Sequence, residues 1–137
     1  EMFLQLNPEY MSNIVLYMIV VPSRDTVQQY KELRDEIDKV VGSINARYRT
    51  LDWQPVFYFY RSFPVEELSA LYHKADICLV TPMRDGMNLV CKEYIASRVN
   101  NNGVLILSEM AGASKELVDA VIVNPNNIGS IAAAIKI

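Results

Sequence analysis

The sequence predicts an α/β fold: a doubly wound, mostly parallel Rossmann-like sheet with helices on both faces. Five short apolar runs of strand length alternate with segments whose apolar residues recur at three- and four-residue steps. No repeat, low-complexity stretch or linker interrupts that alternation, which is the pattern of parallel strands covered by crossover helices. The length of 137 residues, with 51% apolar and 21% charged residues, suits one domain with one core, expected to span 1–137.

The elements follow in order. Phe3, Leu4 and Leu6 before Pro8 form a helix-like pattern. Asn13 to Val21 is the first strand, closed by Pro22, which has no N–H for a ladder. A long helix follows, with Val27, Tyr30, Leu33, Ile37, Val40 or Val41, Ile44 and Tyr48 on one stripe and charge on the other face. Pro55 opens the second strand, Val56 to Tyr60, whose aromatic side chains suit a pleated buried surface. Pro64 starts the next helix, and Glu66 and Glu67 complement its positive end. Its predicted inner face is Val65, Leu68, Leu71, Tyr72 and Ala75. The third strand is Asp76 to Thr81, followed by a loop to Asn88 and a helix to about Arg98; Val104 to Leu107 is the fourth strand. A turn containing Gly112, a short helix through Leu117 and Val118, a fifth strand Ala120 to Val123 and a helix from Asn127 complete the set.

In such a sheet ligands bind beyond the carboxyl ends of the strands. The segments there are Pro22-Ser23-Arg24, Arg61-Ser62-Phe63, Pro82 to Asn88 and Ser108 to Ala113.

Composition narrows the partners. A net charge of −3 with scattered basic residues offers no track for a phosphate backbone, so no nucleic acid is expected. The longest apolar run, Ile14 to Val21, is far shorter than the roughly 20 residues a bilayer needs, so no membrane is expected. Cys78 and Cys91 lack metal-site or redox-pair spacing and read as buried free thiols of a cytoplasmic protein. No metal site and no cofactor are expected. His73, the only histidine, lies on a helix away from the four loops and reads as structural. Met83, Met87 and Met110 read as packing residues, Lys92 as cover for a helix flank, Lys115 and Glu116 as solvated, and Trp53 as the anchor of the loop before the second strand.

The chemistry concentrates in Thr81-Pro82-Met83-Arg84-Asp85-Gly86-Met87-Asn88-Leu89-Val90-Cys91-Lys92-Glu93-Tyr94. Gly86 permits close backbone approach, and Asn88 is a good N-cap for a helix presenting free N–H groups at Leu89 and Val90. Such an end suits a diphosphate. Glu93 falls about 7.5 Å further along the axis, where its carboxylate can accept from both hydroxyls of an attached ribose. Asp85 is placed for sugar hydroxyls on the other side. On the residues alone, an ordinary strand-to-helix loop with Arg84 and Asp85 solvated is an equal alternative.

Val80 to Tyr94 resembles the signature of the trehalose-6-phosphate synthase family. The resemblance extends through Val20 to Arg24, Pro55 to Tyr60 after Trp53, Gly103 to Ala113, and Ala120 to Pro125, in family order and over nearly the whole chain. It implies one half of a two-domain GT-B glycosyltransferase that moves glucose from UDP-glucose to glucose 6-phosphate with retention, releasing UDP and trehalose 6-phosphate. Carried over singly, Asp85 resembles the catalytic-site aspartate that holds the donor glucose. Gly86, Met87 and Asn88 resemble the backbone beside that sugar, and Leu89 and Val90 the diphosphate-binding amides. Glu93 resembles the ribose-binding glutamate, Phe63 the residue whose main chain meets uracil, and Arg24 an arginine on the acceptor phosphate. Arginine's fork suits that last role.

The resemblance further implies no protein nucleophile. The leaving phosphate helps deprotonate the acceptor, and the protein works by positioning and charge stabilisation. The family's phosphate-neutralising Arg and Lys lie upstream of the position of Glu1, and most acceptor contacts come from the N-terminal domain. The chain is therefore expected to be an incomplete, C-terminal donor-binding half, inactive alone, with that N-terminal domain as a partner and homo-oligomerisation of the full-length protein left open. Its termini agree with a piece of a longer chain: it opens inside a helical pattern, and the stripe Ile128, Ile131, Ala132 and Ile135 runs to Ile137 without a stop signal. Two other functions compete: a non-catalytic sugar-phosphate-sensing or scaffolding homologue, and a related pseudo-glycosyltransferase with a cyclitol acceptor. A receiver domain would want acidic residues at the end of the first strand, and a dinucleotide-dependent dehydrogenase would want G-x-G-x-x-G; the sequence has neither.

Overall fold

A computed structural model describes residues 1–20, 28–83, 89–98, 103–117 and 119–136. The described chain divides into two compact units, Phe3–Ser62 and Phe63–Ile137. All five predicted strands are present, as a two-stranded and a three-stranded parallel sheet.

In the first unit, helix α1 (Met2–Leu6) buries Phe3 and Leu4. It stops at Asn7, whose backbone and side-chain N–H groups both donate to the Phe3 carbonyl, at 2.9 and 3.0 Å, ahead of Pro8. Strand β1 (Leu16–Val20) begins later than the sequence predicts. Asn13 is spent on a turn, its N–H donating to the Tyr10 carbonyl at 3.0 Å after Ser12 takes φ 68°. The Ile14 carbonyl is claimed by the Trp53 indole N–H at 3.0 Å, which bears out Trp53 as an anchor.

β1 pairs with β2 (Val56–Tyr60) from Leu16 opposite Val56 to Val20 opposite Tyr60. The parallel register stacks Tyr17 on Phe57 with ring centres 5.4 Å apart. Helix α2 (Gln28–Tyr48) faces the sheet with Ile37, Val41, Ile44 and Tyr48, which settles the choice between Val40 and Val41. Leu33 and Val40 are instead exposed. Two polar contacts bind α2 to β2. The Asn45 amide accepts from Val56 N–H at 3.0 Å and donates to Val56 C=O at 2.9 Å, and the Arg34 guanidinium lies 4.0 Å above the Tyr60 ring.

In the second unit, β3 (Ile77–Val80), β4 (Val104–Ser108) and β5 (Val121–Val123) form the sheet in that order. Alternation sends Cys78, Val80, Leu105 and Leu107 to one face, against Tyr72 and Ala75 from the segment of helix α3 (Val65–Lys74) and its cap, and Cys91 and Tyr94 of helix α4 (Leu89–Ser97). Ile77, Val104, Ile106, Val121 and Val123 meet Ile131, Ala134 and Ile135 of helix α5 (Ile128–Lys136) on the other. Helices thus cover both faces of this parallel sheet, as predicted. Asn127 caps α5, its side-chain oxygen accepting from Ser130 N–H at 3.0 Å.

Two details differ from the prediction. Val65 is 78% exposed, because as the first residue of α3 it precedes the turn that reaches the sheet. The short helix near Leu117 is a 3-10 turn at Gly112–Lys115, bonded from Ser114 N–H to Ala111 C=O and from Glu116 N–H to Ala113 C=O; Val118 lies outside the described residues.

Candidate functional site

Parallel pairing places the ends of β3 and β4 at one edge of the second sheet, so Thr81-Pro82-Met83 and Glu109 to Ala113 emerge together. Ser108 ties them. Fully buried, its hydroxyl donates to the Pro82 carbonyl at 2.8 Å and accepts from Met110 N–H at 3.0 Å. Pro82 is thereby fixed two residues ahead of Arg84. Met83 and Met110, expected to pack, are instead 61% and 46% exposed on these loops.

α4 carries the next part of the predicted site. Its first turn begins at Leu89 and contains no acidic residue, which leaves the positive end of the helix dipole uncompensated from within that turn. Cys91 and Tyr94 turn inward with at most 2% exposure. Val90 and Glu93, also three apart, share the exposed flank. Lys92 forms an ion pair with Glu116 at 2.8 Å, so Glu116 is not simply solvated.

Glu93 is held from a second helix: the Tyr72 hydroxyl donates to its Oε2 at 3.2 Å. Burial first, then the Glu93 charge and this hydrogen bond, push the Tyr72 phenol up to about 12. Tyr72 stands edge-on to Tyr94, with ring centres 6.3 Å apart, and the Tyr94 hydroxyl donates to the Ala75 carbonyl at 2.8 Å.

Leu89, Val90 and Glu93 are therefore brought together on α4. Phe63 is half-buried and lines an open concavity of about 300 Å³ with Glu67, Ala70, Leu71 and Lys74, none of them from α4. Arg24, Asp85, Gly86, Met87 and Asn88 lie outside the described residues. His73 is exposed, with its ring nitrogen 3.4 Å from the Ser97 carbonyl. Burial beside Cys91 pushes the Cys78 thiol up to about 11, and the two cysteines form no disulfide. Among the described residues there is no group of three or more His, Cys, Asp or Glu able to hold a metal ion, and no helix long and apolar enough to cross a membrane.

The sequence profile of glycosyltransferase family 20 matches residues 1–137, the full length of the chain. The chain belongs to that family. A relative from Thermoproteus tenax, a bifunctional trehalose-6-phosphate synthase/phosphatase, is 51% identical over 98% of this chain and 18% of its own length. A UDP-forming α,α-trehalose-phosphate synthase from Candida albicans is 47% identical over 99% of this chain and 28% of its own. Among solved structures, the fold overlays on the Burkholderia xenovorans UDP-forming synthase in complex with glucose-6-phosphate with TM-score 0.95, at 38% identity. It overlays on an E. coli trehalose-6-phosphate enzyme bound with UDP-2-fluoro glucose with TM-score 0.94, at 41% identity. The chain covers 30% of each of these two structures. Family 20 membership bears out the resemblance read from Val80 to Tyr94.

Sequence reasoning missed the contacts of Tyr72 with Glu93 and of Ser108 with Pro82 at the candidate site. Tyr72 carried an apolar-stripe signal that concealed its hydroxyl, and Ser108 stood as one loop residue among several. Both act across more than 20 residues of sequence.

Proposed function

We propose that these residues form the donor-binding part, in the C-terminal half, of a two-domain, retaining, UDP-forming trehalose-phosphate synthase. The supporting observation is the acid-free start of α4 with Glu93 one turn further on, in a family 20 chain whose relatives bear that name. The diphosphate of UDP-glucose takes the Leu89 and Val90 amides, and the ribose hydroxyls take Glu93. Uracil lies against the Phe63 main chain, and glucose against Asp85 and the Gly86-Met87-Asn88 backbone. Arg24 binds the phosphate of glucose 6-phosphate.

In the reaction the anomeric hydroxyl of glucose 6-phosphate attacks C1 of the donor glucose as the bond from C1 to the UDP oxygen breaks. The proton passes to the departing phosphate. The protein contributes position and stabilisation of the leaving charge, which a preformed set of helix N–H donors supplies without reorganisation. The remaining acceptor contacts come from the N-terminal domain of the same cytoplasmic enzyme.

The complete protein, incubated with UDP-glucose and glucose 6-phosphate, is expected to release UDP and trehalose 6-phosphate in equal amounts, while the isolated 137-residue chain forms neither. Proton NMR of the product should show α configuration at both anomeric carbons. UDP release that does not depend on glucose 6-phosphate would count against this assignment.

A further inference from the structure

Tyr72 sits on the sheet-facing side of α3, yet its polar end reaches the exposed flank of α4 at Glu93. Three contacts immobilise it. Its ring stands edge-on to buried Tyr94, its hydroxyl donates to Glu93 Oε2 at 3.2 Å, and its main-chain carbonyl accepts from Arg98 Nη1 at 3.3 Å. The backbone at Glu93 is engaged as well, its carbonyl accepting from the Ser97 hydroxyl at 2.8 Å.

A glutamate on an exposed helix flank has three side-chain torsions and loses that freedom when it grips a ligand. A fixed neighbour that already holds one carboxylate oxygen removes much of the cost before the ligand arrives. Tyr72 is chemically suited to this. Its phenol keeps its proton throughout the physiological range, so it can only donate to the carboxylate. One oxygen of Glu93 is then oriented by Tyr72, and the other, with the spare lone pair of the first, remains for two neighbouring hydroxyls.

We infer that Tyr72 is a positioning residue for the donor nucleotide: its hydroxyl pre-orients the Glu93 carboxylate for the vicinal 2′ and 3′ hydroxyls of a ribose. The inference rests on the reading of Glu93 as the ribose-binding group. It makes Tyr72 a determinant of sugar discrimination, favouring ribonucleotides over donors that lack these hydroxyls.

Calorimetry on the complete protein separates the two claims, with UDP and 2′,3′-dideoxy-UDP as probes. Tyr72→Phe keeps the ring and its contact with Tyr94 while deleting the hydroxyl. It should raise the Kd for UDP roughly three- to tenfold, less than the loss of a direct hydrogen bond to a charged group because Tyr72 acts through Glu93, and leave dideoxy-UDP within about twofold of wild type. The KM for UDP-glucose should rise with it, and kcat at saturating donor should hold. In a Glu93→Gln background the Tyr72 change should add little to the loss of UDP affinity. Parallel weakening of both ligands would reduce Tyr72 to a structural strap and overturn the inference, as would unchanged UDP binding when Glu93→Gln weakens it. Unchanged UDP binding in Glu93→Gln would overturn the reading of Glu93 itself.

Discussion

Ser108 has no exposed surface, and its one oxygen serves the carbonyl of Pro82 and the N–H of Met110. Ser108→Ala leaves both groups without that partner, so it should lower stability by about 1–3 kcal/mol, read as a shift of the denaturant midpoint at constant slope. It should also weaken donor binding, because Pro82 leads into the segment proposed to hold the donor. Gly103 is constrained for a different reason. It holds φ +95°, and a Cβ there would lie 2.5 Å from the Tyr94 hydroxyl and 2.9 Å from Arg98 Nε. Gly103→Ala should therefore destabilise the second unit by at least about 1 kcal/mol in the same experiment, through backbone strain and displacement of the Tyr94 hydroxyl from Ala75. At this scale the placement of Val90 and Glu93 on one helix was legible, because helix periodicity relates residues near in sequence. Tyr72 and Ser108 were not, because their partners are set by which segments the fold brings together.

α4 is stabilised mainly through one side. Cys91 and Tyr94 enter the core with Val80, Leu105 and Leu107, while Val90 and Glu93 lie on the exposed flank. The half-buried Cys78 thiol and Tyr72 phenol in this layer carry a pH signature. Cys78 ionises near 11 when folded against a reference of 9.0, and Tyr72 near 12 against 10.0. A neutral acid whose folded pKa is raised contributes stability that is complete below the unfolded value and is lost as pH climbs toward the folded one. The melting temperature should accordingly fall between about pH 9 and 12, and Cys78→Ala should flatten the lower part of that decline. Element identity was readable because the five apolar runs and the helical stripes have distinct periods. The boundaries were less so: Asn13 was diverted to a turn, and Gly112 to Lys115 closed as a 3-10 turn because the segment is too short to extend. Asn45, which fastens α2 to the start of β2 with two hydrogen bonds, reads in sequence as one more polar residue on a helix.

For the molecule as a whole, the α/β class and the family were legible because strand order, loop chemistry and the Val80 to Tyr94 segment agree with one another, a consistency expected of a sequence that specifies one fold. The five strands form two parallel sheets in two compact units, a partition that depends on pairing rather than on any local signal. The central claim is that α4 and Glu93 hold a ribonucleoside diphosphate. It is tested most directly by titrating UDP into the complete protein and into its Glu93→Ala variant by calorimetry. Loss of two hydrogen bonds to a charged carboxylate predicts an affinity at least about tenfold weaker in the variant, whereas equal affinity in the two proteins would contradict the account.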